Sequence, residues 1–343
     1  MPLTAAEILG HPAYPNVIWD LKPTAKGKCK VAANRGGPLD IAYEIHGRGL
    51  IKIIKSPLVN KKENLLTTAE KWIAGHGALK WYFQRQTQDF GHEMGDKYSC
   101  LIFDNRGIGE SDKPLMRYST SEMARDTLEL LDHVGWKGRR EVHVVGVSMG
   151  GMIAQEIACI EPERIASLSL VSTAAQLKNS IGYFENLRNR INIFLPKSPD
   201  TQITELKTRA SASWVTAPDE IDGAFPTNGD RFAAQELAKR ADTNGFTRKG
   251  FICQAIAIGW HLKTPAQLQE MAEKVGRERI QVVHGTEDPL LTFRPHAEEL
   301  VEGLGEGVER VVFEGRGHYL PFEVRQEFRR LVEGIVERTG RMR

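Results

Sequence analysis

Runs of β-branched and aliphatic residues recur at 98–103, 142–147, 165–171, 280–283 and 309–313, and glycine or polar residues bound each of them. Runs of that length and composition suit strands buried on both faces, as in a parallel sheet. Between several of them the apolar residues recur at helical spacing. Over 120–134, Met123, Leu128, Leu131 and Val134 share one face, and Ser119 with Glu122 forms an N-terminal capping pattern. Over 149–160, Ile153, Ile157 and Ile160 share another, and Pro162 lies just beyond the end. Strand and helix therefore alternate, which predicts right-handed crossovers and a mostly parallel central sheet flanked by helices. Ahead of this, 28–46 reads as a hairpin turning at Arg35-Gly36-Gly37-Pro38, where Leu39, Ile41, Tyr43 and Ile45 alternate with Asp40, Ala42 and Glu44. Residues 81–88 and 322–336 read as helices.

The alternation fails in two places. Over 176–275 no buried strand is found. Helices are predicted at 179–194, 201–215, 230–242 and 247–260, punctuated by Pro196, Pro199, Pro218 and Pro226, so this stretch reads as a helical cap inserted into the sheet. The second break is 55–71, polar and rich in lysine, which separates Ile51-Lys52-Ile53-Ile54 from Trp72-Ile73-Ala74. Several unpaired ammonium groups cannot sit in a core strand, so it reads as an insertion that loops out to solvent. A short helix over 65–71 is the alternative. With 1–26 as an N-terminal arm anchored by Ile18 and Trp19, the expected organisation is a core of 27–175 and 276–343 carrying the 176–275 cap.

Composition narrows the function classes. The chain has 343 residues, 41% of them hydrophobic, enough for a sizeable core. A formal net charge of +2 favours neither nucleic acid nor a membrane surface as partner. Cys29, Cys100, Cys159 and Cys253 lie far apart without a C-x-x-C pair, which argues against a zinc site and against a disulfide framework. Cys100 and Cys159 read as small core residues. No apolar signal region, no run of 18 apolar residues and no C-terminal address in Gly340-Arg341-Met342-Arg343 is seen, so the expectation is a cytoplasmic protein without a membrane span.

The candidate chemistry centres on Gly146-Val147-Ser148-Met149-Gly150, a G-x-S-x-G pattern between an apolar strand and an amphipathic helix. A sharp strand-to-helix turn leaves no room for a Cβ on either flank and lifts the serine hydroxyl to the helix N-terminus, whose partial positive charge favours an anion. Most of the ten histidines sit at element edges or beside prolines. His318 is different, because Gly315-Arg316-Gly317 before it lets its loop fold tightly over the serine. The loop after 280–283, His284-Gly285-Thr286-Glu287-Asp288-Pro289, offers two carboxylates.

These residues resemble the α/β-hydrolase superfamily over roughly 39 to the end, outside the insertion and the cap. The resemblance rests on Gly75-His76-Gly77, Asp104-Asn105-Arg106-Gly107-Ile108-Gly109-Glu110-Ser111, the Ser148 pattern and the two terminal loops, all in the family order. It implies that Asp288, matching an H-G-x-x-D pattern, is the triad acid rather than Glu287, since Ser172-Thr173 leave no carboxylate at the other position used in the family. His284 would brace the acid loop, and Arg106 would pair with a carboxylate. The oxyanion hole would use the main-chain N–H of Met149 and of Ala78, in a loop that lacks the proline or extra glycines of many members.

The implied reaction is acyl transfer to water through Ser148, His318 and Asp288, with no metal or organic cofactor. Serine at the nucleophile position disfavours the dehalogenase and epoxide-hydrolase branches, which use aspartate there. An ester, thioester or lactone hydrolase remains, acting on a small, mainly apolar acyl or ring compound. Tyr183, Phe184, Ile191, Phe194, Trp214, Phe251 and Trp260 of the cap are the candidate lining. A carbon–carbon bond hydrolase, a cofactor-free perhydrolase or haloperoxidase-like enzyme, and a non-catalytic receptor or scaffold are the alternatives. The sequence fixes no oligomeric state.

Overall fold

A computed structural model of the protein describes residues 2–49, 69–73, 75–177 and 197–342. The expected cap helix at 179–194, with its four aromatic and aliphatic candidates, lies outside the described residues, as do Ile51 to Ile54 and most of the expected insertion.

Eight strands form one sheet in the order β1-β2-β4-β3-β5-β6-β7-β8. They are β1 (Ala25–Val31), β2 (Leu39–His46), β3 (Ala69–Ile73), β4 (Cys100–Phe103), β5 (Val142–Val147), β6 (Ile165–Val171), β7 (Ile280–Gly285) and β8 (Glu309–Phe313). The predicted hairpin is β1–β2, and β2 runs antiparallel to β4, while every later pairing is parallel. The central strands β4, β5, β6 and β7 are buried at every position, including Ser167 and Ser169, which alternate with Leu168 and Leu170 in β6. Val142, Val144 and Val145 are removed from water, worth roughly 1.5–3 kcal/mol each.

Strand β3 begins at Ala69, so the expected insertion at 55–71 overlaps it by its last residues. Pairing of Lys71 with both Leu101 and Val144 brings this lysine's backbone into the ladder. The hydrophobic pattern places the strand start at Trp72, because it counts side chains and not ladder hydrogen bonds.

Helices Thr120–His133 and Met149–Ile160 pack on each other and on the sheet, in the predicted places. Ser119 caps the first by accepting the Glu122 N–H at 3.1 Å. Ile160, expected on the buried face of the second, is 37% exposed at the helix end, although Ile157 and Ala158 of the same turn are buried. Between β6 and β7 lie Pro199–Lys207, Ala212–Thr216, Asn228–Ala241 and Arg248–Gly259. The first two replace one predicted helix. Helix Pro265–Val275, expected within the cap, instead puts Leu268, Met271, Ala272 and Val275 into the main core against Met149–Ile160.

The N-terminal arm is a working part of the helical layer. Its helix Ala5–Leu9 joins Pro199–Lys207 and Asn228–Ala241 in a separate core of Ala5, Ile8, Val17, Ile203, Phe225 and Leu237. Asp200 and Asp230 fix the arm by accepting the main-chain N–H groups of Ala5 and Leu3, at 2.7 and 3.1 Å. All four cysteines are free thiols; Cys159 is only half-buried. No described helix is long and apolar enough to cross a membrane.

Candidate active site

Ser148 sits where β5 turns into the helix Met149–Ile160, with φ 56° and ψ −121°. A non-glycine residue held there carries strain of about 1–3 kcal/mol, which the surroundings must hold. They do so by main-chain hydrogen bonds: Ser148 N–H donates to Val171 at 2.9 Å, and the Thr173 hydroxyl donates to the Ser148 carbonyl at 2.8 Å. A Cβ on Gly146 would collide with Gly150 and Gly151, and one on Gly151 would lie 2.6 Å from Thr173. These contacts explain the glycines around the serine. Met149 is the first helical residue, so its N–H has no acceptor within the helix.

His318 and Asp288 come together from the loops after β8 and β7. His318 Nδ1 donates to Asp288 Oδ2 at 2.7 Å, and both residues are buried. This fixes the ring tautomer and leaves Nε2 as the free ring nitrogen. Asp288 Oδ1 accepts the N–H groups of Leu290 and Leu291 at 2.8 and 3.0 Å. Burial alone would push the Asp288 carboxyl up. The His318 ring, its hydrogen bond, His284 and the Leu291 N–H outweigh burial and hold it below the ordinary range. His284 Nε2 donates to the Leu291 carbonyl at 2.6 Å and so ties both ends of the acid loop together. Glu287, the other carboxylate of this loop, is exposed.

Three hydrogen bonds that the sequence pattern does not reveal, two of them local and one long-range, hold the histidine loop. The buried Glu323 carboxylate accepts N–H groups from Gly317 and Tyr319, on either side of His318, at 2.8 and 3.0 Å. The N–H of His318 itself donates to the Arg209 carbonyl at 2.8 Å. Gly317 is packed so closely that a Cβ would lie 2.7 Å from that carbonyl.

The loop after β3 passes directly over the serine. A Cβ on Gly75 would lie 3.3 Å from the Ser148 Cβ and 3.8 Å from its Oγ. The Ala78 N–H, expected to face the site, instead donates back to the Gly75 carbonyl at 3.3 Å and closes a turn. Gly77 N–H donates to Gln254 Oε1 at 2.9 Å. Among the described residues the His76 N–H meets no acceptor. The His76 ring stacks on Phe251 with centroids 3.9 Å apart and Nε2 donates to the Phe251 carbonyl at 2.8 Å. Burial lowers its pKa to about 4, with Lys239 and Arg209 adding to the effect and the Phe251 carbonyl opposing it.

Ser148, His318, Gly75, His76 and Ala78 open on one cavity of about 350 Å³. Val147, Met152, Ile258, Leu291 and Phe251 supply apolar walls, and Arg209, Glu236, Lys239 and Arg240 also line it. Of the other predicted cap aromatics, Trp214 is buried in the core and Trp260 is 71% exposed, so neither is among the lining residues. Arg106 is away from this cavity and pairs with Asp126 through Nε at 2.5 Å and Nη2 at 2.6 Å, a bracing role. The described residues contain no cluster of metal-ligating side chains.

A family model described as alpha/beta hydrolase fold matches residues 73–323. A 3-oxoadipate enol-lactonase of Acinetobacter baylyi is 26% identical over 71% of this chain and 80% of its own length. For the first curated relatives the matched region spans about half of their length. Among solved structures, a thermophilic esterase from Thermogutta terrifontis superposes with a TM-score of 0.65 at 18% identity, over 92% of this chain and 100% of that one. A meta-cleavage product hydrolase from Pseudomonas fluorescens gives 0.64 at 18% identity, over 92% of this chain and 98% of that one. At such identities the likeness is one of fold.

Proposed function

The chain belongs to the α/β-hydrolase family, and from that premise we propose that it is a serine hydrolase cleaving a carboxylic ester, thioester or lactone of a small substrate. The observation that carries this reading is the convergence of a strained, half-exposed Ser148 and the buried His318–Asp288 pair on one cavity. In the proposed cycle His318 Nε2 takes the Ser148 proton as the hydroxyl attacks the carbonyl carbon. Asp288 holds the ring in that tautomer and stabilises the imidazolium. The imidazolium then gives its proton to the leaving oxygen or sulfur, and water repeats the sequence on the acyl-enzyme.

For the oxyanion we assign the Met149 N–H and, in place of Ala78, the His76 N–H. Gly77 and Ala78 already donate elsewhere, and His76 directly follows the glycine that lies against Ser148. The enol-lactonase relative is consistent with a lactone or ester as substrate.

The test is covalent labelling of Ser148 by a fluorophosphonate probe, followed by a panel of graded acyl esters, thioesters and lactones. Ser148→Ala should abolish labelling and lower turnover by roughly four to six orders of magnitude while the fold is kept. Labelling of another residue, or turnover in the variant above about one per cent of wild type, removes Ser148 from the role.

A further inference from the structure

The charges around the cavity do not balance. Three basic side chains, Arg209, Lys239 and Arg240, line it against one carboxylate, Glu236. That carboxylate is already engaged, with Lys239 Nζ 2.6 Å from Oε2 and Arg240 Nε 2.7 Å from Oε1. Arg209 is left over. It interacts with the Tyr319 hydroxyl, and Glu236 and Glu205 act on it through charge alone, without a hydrogen bond. Glu205 is itself paired with Lys197 at 2.6 Å. Among the described residues no carboxylate lies within ion-pair distance of the Arg209 guanidinium.

An excess of positive charge beside apolar walls attracts an anion and disfavours a purely hydrocarbon occupant. The guanidinium fork matches a carboxylate with two parallel N–H···O bonds. Its place is also fixed relative to the reacting centre. The Arg209 carbonyl holds the N–H of His318, so the residue that carries the guanidinium is tied by one hydrogen bond to the residue proposed to move the proton.

We propose that the cavity selects a substrate bearing a carboxylate near its ester or lactone bond, with Arg209 as the partner of that carboxylate. This deepens the hydrolase reading above and rests on it. The carboxylate is a spectator: the acyl carbon–oxygen bond breaks, water supplies the new oxygen and a proton to the leaving group, and the anion stays paired throughout. Binding energy from this remote group then orients the scissile carbonyl under the oxyanion donors.

The experiment compares matched esters. The p-nitrophenyl hemiesters of succinic, glutaric and adipic acid are run against p-nitrophenyl butyrate, valerate and hexanoate. Acetyl esters of short hydroxycarboxylic acids are run against the corresponding alkyl acetates. The carboxylate member is expected to have the higher kcat/KM in at least one series, by about tenfold or more. Arg209→Met should lower that ratio by about 30-fold or more, because a desolvated anion loses its partner. Arg209→Lys should keep part of the ratio, carrying charge without the fork. Glu236→Gln should leave it as large or larger, since it removes the one opposing charge.

A preference for the neutral member at every length, or a ratio that Arg209→Met and Arg209→Lys both leave unchanged, overturns the proposal. Should neutral esters be turned over in a Ser148-dependent way with no charge preference, the carboxylate inference fails and the hydrolase reading stands. Failure of every ester together with failure of fluorophosphonate labelling overturns both.

Discussion

Glu323 accepts the main-chain N–H of Ser211 at 3.0 Å, across 112 residues of sequence. The same carboxylate holds the N–H groups of Gly317 and Tyr319, so one buried side chain joins the His318 loop to the start of the helix Ala212–Thr216. Three main-chain dipoles take the place of a cation. A buried carboxylate can be kept in this way only while all three donors stay aimed at it.

Glu323→Gln tests that arrangement. The amide keeps one acceptor oxygen and turns an NH₂ group toward main-chain donors. At least one N–H near His318 is then left unsatisfied, at a cost of about 1–3 kcal/mol. A lower Tm is expected together with a fall in kcat of about tenfold or more and a smaller change in KM, because a loosened histidine misplaces the proton transfer rather than the binding. A variant with lowered Tm and unchanged kcat would show that Glu323 braces the loop without setting its geometry.

Asp288 and Glu287 are neighbours in sequence and opposite in environment. Asp288 is buried against His318 Nδ1, whereas Glu287 points to solvent. Asp288→Asn should lower kcat by about 10⁴-fold, since an amide stabilises the wrong imidazole tautomer and no developing charge. Glu287→Gln should stay close to wild type. Equal losses in the two variants would put the imidazole under a different acid.

The parts of this molecule legible in the sequence are those that local rules dictate. Val142 to Val147 is buried on both faces and is therefore apolar apart from His143, whose Nδ1 is hydrogen-bonded to the Ser167 hydroxyl. The turn at Ser148 excludes a Cβ at 146 and therefore has glycine there. The Asp288 loop carries its signal within a few residues, and the His318 loop does so through its glycines. Glu323, Arg209 and Gln254 carry no such signal. Each acts through a hydrogen bond to main chain more than a hundred residues away, and a lone Glu, Arg or Gln on a helix or in a loop reads as solvated. The assignment of Ala78 as donor followed from the family resemblance of the loop after Gly75-His76-Gly77. Which N–H is left free depends on where the ladder ends, at Ile73 opposite Gly146, and a hydrophobic pattern does not set that register.

Acidification should destabilise the protein through its buried neutral histidines. His76 falls from an ordinary 6.5 to about 4 and His261 to about 3, in both cases first because burial disfavours the cation. Between those values and 6.5 the unfolded chain binds a proton that the native state does not. Their contribution is therefore fully present above about pH 6.5 and is lost as pH falls toward 4 and then 3. Denaturant midpoints measured from pH 7 to pH 4 should decline. In His76→Phe, which keeps a ring against Phe251, the decline should be smaller by about 2–3 kcal/mol even if the variant starts less stable. Parallel declines in the two proteins would remove His76 from the effect.

Gln254 spans the two loops that frame the site. Its Oε1 accepts the Gly77 N–H at 2.9 Å and its Nε2 donates to the Arg106 carbonyl at 3.0 Å. The complementary partners fix which end of the amide is which. With Gly77 held here and Ala78 held by Gly75, the His76 N–H, which meets no acceptor among the described residues, is the donor proposed above for the oxyanion. Gln254→Leu removes both bonds and leaves a buried N–H and a buried carbonyl unsatisfied, so Tm should fall. If His76 N–H serves the transition state, kcat should also fall by about tenfold or more, with KM nearly constant, because an oxyanion donor acts on charge that develops only after binding. Gln254→Glu keeps the acceptor for Gly77, loses the donor to Arg106 and sets a carboxylate oxygen against that carbonyl. It should therefore recover kcat relative to Gln254→Leu while its Tm stays low. Matching kcat losses in the two variants would mean that the Arg106 contact, and not the hold on Gly77, sets the loop.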